Sequence, residues 1–267
     1  MNIPIIIICY NNYKYVKNTL DQILKINKEY YKNIQILNNK SNCEDTIKFL
    51  QNVDVKVINN HYNYGPWVSP YVNIHIYNEL PDKYILTDPD LELNPNIPTN
   101  FIEIMAELSD KYNCGKIGVA LDISDFDKMY QNNYVFNEDK NEWFTIYDQE
   151  KQFWENKIND EKYILYRSTL DTTFCLVNKK YSYYNTDNNH IRIAGNFTTK
   201  HLPWYVENKI YSIYENYLLA KNNEKNISTT SRIIIAYIET NYLKVVKNNE
   251  IILLKNKNTE ENISSWI

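Results

Sequence analysis

Tyr84-Ile85-Leu86-Thr87-Asp88-Pro89-Asp90-Leu91-Glu92-Leu93 is the stretch whose reading decides the fold. Tyr, Ile and Leu without a charge among them predict a buried strand. Pro89 removes a backbone donor and fixes φ, so strand pairing should stop there. Asp88 and Asp90 then emerge at the carboxyl end of a strand, where open α/β sheets bind their ligands. In extended geometry residues i and i+2 point the same way, so both carboxylates can face one hard cation, which can in turn hold a diphosphate. A second reading is a strand that ends in a solvated Asp-Pro turn, because both are ordinary turn residues.

Working outward, Ile3-Pro4-Ile5-Ile6-Ile7-Ile8-Cys9 is an apolar, β-branched run typical of a central parallel strand. Val16, Leu20, Ile23, Leu24 and Ile26 follow at helical spacing. Ile34 to Leu37 predicts a second strand, Glu44 to Leu50 a helix and Val53 to Ile58 a third strand. This β-α-β-α-β order calls for right-handed crossovers and a parallel sheet covered on both faces. The chain has four glycines, and no Gly-x-Gly-x-x-Gly follows the first strand, which argues against a dinucleotide fold. Beyond the acidic pair, Asn100 to Tyr112 reads as a helix and Lys116 to Leu121 as a buried strand. Residues 122–160 read as loops with one short helix through Gln149 to Trp154. Tyr163 to Tyr166 and Thr172 to Val177 resemble a strand pair, and Ile191 to Gly195 one more strand. Tyr211 to Ala220 is a tyrosine-rich helix, and Ile233 to Ile238 a short apolar alternation.

At 267 residues the chain can bury a full core. A net charge of −4 offers no global attraction to nucleic acid or anionic lipid. Cys9, Cys43, Cys114 and Cys175 have neither Cys-x-x-Cys nor metal-ligand spacing, which predicts reduced, mostly buried thiols in a cytoplasmic or equivalent reducing compartment. No signal peptide is evident, and no apolar run approaches the length of a transmembrane segment. Asn, Lys, Ile and Tyr are abundant, a compositional bias under which single Asn or Tyr residues carry little information.

Four loops fall at predicted strand ends, in the order CYNN (Cys9–Asn12), LNNKS (Leu37–Ser41), NYGPW (Asn63–Trp67) and LTDPDLEL (Leu86–Leu93). This series resembles the nucleotide-sugar half of GT-A glycosyltransferases, especially the family 2 type, over residues 1–95. The resemblance implies an α/β GT-A fold with a mostly parallel central sheet flanked by helices. It implies a single domain of 1–267, with a nucleotide-sugar-binding half (1–120), an acceptor half (121–230) and a C-terminal extension (231–267). The implied activity is metal-dependent transfer of a sugar from a nucleotide-diphosphate donor, UDP-sugar favoured, to an acceptor hydroxyl of a glycan. Cys9, Tyr10, Asn11, Asn38, Asn63, Gly65 and Asp88 would then bind the donor, and Asp88 with Asp90 the cation, Mn²⁺ or Mg²⁺. Asn38 stands where the family usually offers an aspartate; an amide still donates and accepts.

Leu170-Asp171-Thr172-Thr173-Phe174 and Thr199-Lys200-His201-Leu202-Pro203-Trp204-Tyr205 resemble the acceptor-side strand and late histidine loop of bacterial GT-A enzymes. On that resemblance His201 is a third metal ligand, suited to Mn²⁺; otherwise it is a packed, hydrogen-bonded histidine beside Trp204. His61, His75 and His190 have no partner pattern. Inversion needs a carboxylate to deprotonate the acceptor. Asp171 opens a buried-looking strand, an awkward place for an unpaired charge, and is the first candidate base and acceptor contact. Glu207 is its rival, although it also suits a helix N-terminus. Trp204 is the candidate platform for an acceptor sugar ring. The rival function on this fold is a carbohydrate- or nucleotide-sugar-binding protein without catalysis. A nucleotidyltransferase ranks last, because Cys9–Asn12 lacks the glycine and basic residues of a phosphate loop.

Overall fold

The computed structural model describes residues 2–130, 135–137, 142–182, 189–222, 229–247 and 250–255. In chain order the elements are β1 (Ile5–Cys9), α1 (Tyr13–Ile26), α2 (Lys28–Tyr31), β2 (Ile34–Asn38), α3 (Glu44–Asn52), β3 (Lys56–Asn59), α4 (Ile74–Glu79), β4 (Lys83–Thr87), β5 (Leu91–Glu92), α5 (Phe101–Lys111) and β6 (Lys116–Val119). Then come β7 (Val135–Asn137), β8 (Glu142–Phe144), α6 (Ile146–Lys151), β9 (Lys157–Ile158), β10 (Leu165–Arg167), β11 (Cys175–Asn178), α7 (Lys179–Ser182), β12 (His190–Ile193), β13 (Lys200–His201), α8 (Ile213–Asn222), α9 (Thr229–Asn241), β14 (Tyr242–Lys247) and β15 (Glu250–Lys255). Contacts divide them into two compact units, Met1–Ser124 with Glu150–Leu202, and Asp125–Gln149 with Pro203–Ile267.

The first unit holds a nine-stranded sheet in the order β3-β2-β1-β4-β11-β6-β12-β10-β9. β3, β2, β1 and β4 are parallel, and only β11 and β10 run against the rest. Every residue of β1 is buried, as a strand covered on both faces must be; each isoleucine so buried contributes roughly 1.5–3 kcal/mol. Ile6 and Ile8 join Leu37, Ile76, Leu80, Tyr84, Leu86 and Val177 in the core under α4. α1 buries Tyr15, Val16, Thr19, Leu20 and Ile23, one face at the predicted period. α5 packs on β11 and β6.

The antiparallel β11 positions the site. Its register sets Cys175 opposite Leu86 and Asn178 opposite Lys83, so its start lies at the end of β4. Residues 171–174, just before β11, are thereby delivered beside Asp88. In the same way the short β13 pairs with β5, His201 opposite Leu91, which brings the late histidine to the acidic turn.

In the second unit α8 packs against α9, and two hairpins, β7-β8 and β14-β15, are paired antiparallel. Trp204 is buried, its indole N–H donating to Thr230 Oγ1 at 3.2 Å. Tyr205 donates to Asp125 Oδ1 at 2.8 Å.

Several expectations are corrected here. Leu165–Arg167 and Cys175–Asn178 are not a pair: β10 joins β12 and β9, while β11 slots between β4 and β6. Asp171 does not open a strand and is exposed; the strand starts at Cys175. Glu207 is not at a helix start, since α8 begins at Ile213, and it is exposed. Ile233 to Ile238 lies in α9, where Ile234 and Ile238 are one turn apart on the buried face with Ile233. The β7-β8 hairpin falls within residues expected to be loop. All four cysteines are free thiols, three of them buried. No helix among the described residues is long and apolar enough to cross a membrane.

Candidate active site

The carboxyl ends of β1 to β4 share one edge. Over β1, β2 and β3 the loops are joined by asparagine side chains. Asn11, left-handed at φ 58, accepts through Oδ1 from the backbone N–H groups of Asn42 and Cys43 (2.8 and 2.9 Å) and donates to Asn42 Oδ1 at 2.8 Å. Asn38 donates to Asn59 Oδ1 at 2.9 Å and accepts from Ser41 N at 2.9 Å. Asn39 donates to Gly65 O at 2.7 Å. Asn60 donates to Asn39 Oδ1 and Asn73 Oδ1 at 2.8 and 2.9 Å, and Asn73 donates to Trp67 O at 2.8 Å. Asn63 accepts from Gly65 N at 2.9 Å. Gly65, at φ +73, turns its carbonyl inward where an L side chain would strain the backbone. Buried amides bonded in this way hold three loops at fixed spacing.

Cys9 and Asn38 are therefore built into the frame. The Cys9 side chain is fully buried, 4.0 Å from Ser41 Oγ, and burial pushes its thiol up to about 11. Tyr10, half-buried, donates its N–H to Asn12 Oδ1 at 3.1 Å.

At the end of β4 the chemistry changes. α1 clamps the Asp-Pro-Asp turn: Thr19 Oγ1 donates to Pro89 O at 2.6 Å and Gln22 Nε2 to Leu91 O at 2.9 Å, while Leu93 N donates to Gln22 Oε1 at 2.7 Å. Asp88 N donates to Thr172 O at 3.0 Å, and Thr172 Oγ1 donates to Asp88 Oδ2. Asp171 Oδ1 accepts from Thr173 N and Oγ1, at 3.1 and 2.6 Å. Asp90 O accepts from Leu202 N at 2.8 Å, and Asp90 Oδ2 lies 3.5 Å from His201 Nε2.

Burial holds the Asp88 carboxyl well above the usual range, and the charges of Asp90 and Asp171 push it further; the Thr172 hydrogen bond and His201 oppose them. Burial draws the His201 imidazole down, but Asp90, with Asp88 and Asp171, more than offsets this and leaves it raised. Asp88, Asp90, Asp171 and His201 thus share one electrostatic neighbourhood. Asp90 Oδ1 is buried without a hydrogen-bond partner, which is the condition a cation would relieve. The residue types therefore fit a divalent cation, although no group of three or more His, Cys, Asp and Glu side chains among the described residues is gathered as a formed metal site. Trp204 and Glu207 belong to the second unit.

Sequence reasoning missed Asn39, Asn60, Asn73, Thr172 and the buried pair Arg192–Glu150. Asparagine was too common in this chain to stand out. Arg192, one cation inside the apolar run Ile191–Ile193 of β12, was a visible signal.

No protein-family model matches the chain, and no curated protein matches it in sequence. Solved structures do. The mannosyltransferase PcManGT from Pyrobaculum calidifontis, in complex with GDP-Man and Mn²⁺, is 9% identical with a TM-score of 0.46, over 88% of this chain and 68% of that one. S. aureus TarS 1–349 in complex with UDP-GlcNAc is 10% identical with a TM-score of 0.41, over 97% and 98%. Against a longer TarS chain the match is 16% identical with a TM-score of 0.33, over 49% of this chain and only 24% of that one. A cytidylyltransferase from Leptospira borgpetersenii is 15% identical with a TM-score of 0.31, over 51% and 57%. Identities and scores of this size say nothing of donor or acceptor. The chain itself is a mixed α/β fold, its mostly parallel central sheet flanked by helices and carrying the asparagine-linked loops and the acidic turn at one edge.

Proposed function

We propose that the chain is a metal-dependent glycosyltransferase, moving a sugar from a nucleotide-diphosphate donor, UDP-sugar favoured, to an acceptor hydroxyl of a glycan. The observation that carries this reading is the convergence of Asp88, Asp90, His201 and the Asp171 turn at the edge where the β1–β3 loops end. Donor loops and an acidic pair on one edge are what a nucleoside diphosphate needs: hydrogen-bonding loops for the base and ribose, and charge for the phosphates. Asp88 and Asp90 would hold Mn²⁺ or Mg²⁺, with His201 as a third ligand or as the charge partner of Asp90. Once bound, such a cation acts as a Lewis acid on the leaving diphosphate.

Asp171 is the better candidate base. It is exposed, so an acceptor can reach it, and its Oδ1 is oriented by Thr173. Its neighbour Thr172 bonds Asp88, which ties the base to the cation side of the site. Glu207 is the alternative base and Trp204 the alternative acceptor contact.

One observation favours binding without turnover: the Asn38 amide is spent on Asn59 and Ser41. Incubation with Mn²⁺ and a panel of nucleotide sugars separates the readings. Donor hydrolysis or transfer supports the enzyme, and saturable binding without turnover supports the binding protein. No binding of any member of the panel, with or without Mn²⁺, rejects both.

A further inference from the structure

Residues 168–174, between β10 and β11, form a turn held from beneath by side chains of two strands. Arg192 Nε donates to Thr169 O at 2.9 Å. His190 Nδ1 accepts from Leu170 N at 3.2 Å. Lys116 Nζ reaches Leu170 O and Asp171 O at 3.3 and 3.4 Å. Room for the turn comes from Gly118, where a Cβ would stand 2.8 Å from Leu170 Cδ2 and 2.9 Å from Phe174 O. Phe174 itself is at φ 20, a conformation that L residues rarely adopt, with its ring buried 5.3 Å from Phe101. Backbone strain of this kind persists only where the surroundings over-determine it.

Arg192 is the centre of that support. It is 4% exposed, as is Glu150, and Arg192 Nη1 forms an ion pair with Glu150 Oε1. The guanidinium also lies 4.2 Å from the centre of the Phe153 ring. A buried ion pair is a weak source of stability, because desolvation offsets most of its attraction. What it does supply here is geometry: a planar group fixed by Glu150 and Phe153 presents one N–H to Thr169 O. At its other end the same turn bonds Asp88 twice, through Thr172 O and Thr172 Oγ1.

We infer that the Arg192–Glu150 pair is a positioning device for Asp88: it sets the height of the 168–174 turn, and the turn aims the Asp88 carboxylate at the cation of a nucleoside diphosphate. This rests on the metal reading of Asp88 given above. Arg192 and Glu150 are positioning residues that act through the turn. Outer residues that orient a ligand typically change metal affinity about 10–100-fold when removed.

The test uses the full chain, Mn²⁺ with UDP as the probe, and two readouts: Mn²⁺ affinity by electron paramagnetic resonance, and hydrogen exchange of the Asp88 amide without metal. The Glu150→Gln/Arg192→Met pair removes both charges at similar volume, and Arg192→Lys keeps the charge but not the planar fork. Both should weaken Mn²⁺ by about 10–100-fold and speed exchange at Asp88, while amides of β1 and β2 stay protected. Wild-type Mn²⁺ affinity or wild-type Asp88 protection in a folded variant overturns the inference, and Arg192→Lys decides if the double variant does not fold. Asp88→Ala is the reference. If it loses Mn²⁺ while the pair variants do not, the positioning role alone fails. If Asp88→Ala keeps full affinity, the metal reading falls and the inference with it.

Discussion

At the ends of β1, β2 and β3 the buried polar groups bond to one another; at the end of β4 they mostly repel. Asn38, Asn39, Asn60 and Asn73 are each under 10% exposed and linked by their own amides, with Asn60 Oδ1 left over. Burial and the charges of Asp90 and Asp171 raise the cost of ionising Asp88, and one oxygen of Asp90 has no partner. Neutral amides complete a frame without outside help, whereas clustered carboxylates are complete only when something positive arrives. The first half is scaffold and the second is the part with an unmet electrostatic demand.

That contrast breaks most visibly at Asp88. Asp88→Asn should abolish divalent-dependent donor binding, measured by calorimetry with Mn²⁺ and UDP-sugar. It should also raise the thermal midpoint, because the amide keeps an acceptor for Thr172 and removes a buried like charge; gains of about 0.5–2 kcal/mol are usual when a functional strain is relieved. Unchanged binding, or a lowered midpoint, would break the division into scaffold and demand.

Asp171 tests how far the demanding half extends. Asp171→Asn should leave Mn²⁺ and donor binding in place and cut transfer by about 10²–10⁴-fold, with Glu207→Gln as the matched control. If Glu207→Gln loses transfer and Asp171→Asn does not, Glu207 is the base and Asp171 at most an acceptor contact. Modest losses in both, with a raised acceptor KM, would favour a retaining mechanism.

Glu150 gives a pH signature. Burial raises its carboxyl to about 7, with Asp171 adding to the shift and Arg192 and His201 opposing it. In the unfolded chain it titrates at its ordinary 4.5. Between those values the folded state holds the extra proton, so this group's stabilising share is full below 4.5 and is lost as pH rises through 7. The swing is on the order of 3 kcal/mol at most. Thermal melts of Glu150→Gln, compared with wild type from pH 4 to 8, should be the flatter series; parallel series would deny the shift.

The smallest effect belongs to the scaffold. Asn60→Ala strands the acceptors of Asn39 and Asn73 and should cost about 1–3 kcal/mol, read as a lower denaturation midpoint. Mn²⁺ binding should hold, since no amide of this network touches Asp88 or Asp90. Loss of Mn²⁺ binding with the fold intact would show that the two halves are one device.

Much of this was legible in the chain, and the rest was not for definite reasons. β1 and the Tyr84–Leu86 part of β4 are buried on both faces, so their sequences are continuous apolar runs that periodicity can find. The period of Cys175–Asn178 also marks a strand, but no period names a strand's neighbours, and the pairing with β4 rather than β10 is a tertiary fact. Asp88, Asp90 and His201 could be read because a proline, a spacing and a resemblance singled them out. Asn60 and Asn73 could not, since an asparagine-rich composition gives a buried amide the same look as a surface one. Asp171 was chosen for a burial it does not have; its role is argued instead from the turn it shares with Thr172.

The reversed strand β11 has a consequence for how the protein is made. β4 gains its second neighbour only after Cys175–Asn178 have been synthesised, with Cys175 falling opposite Leu86. Until then a nascent chain carries β1 to β4 with Tyr84–Leu86 as an open, apolar edge, the kind of edge that pairs with other chains. Closure across so long a separation in sequence is slow compared with local pairing. Asp88 receives Thr172 in the same event, so completion of the acidic turn and covering of the open edge arrive together, late in folding.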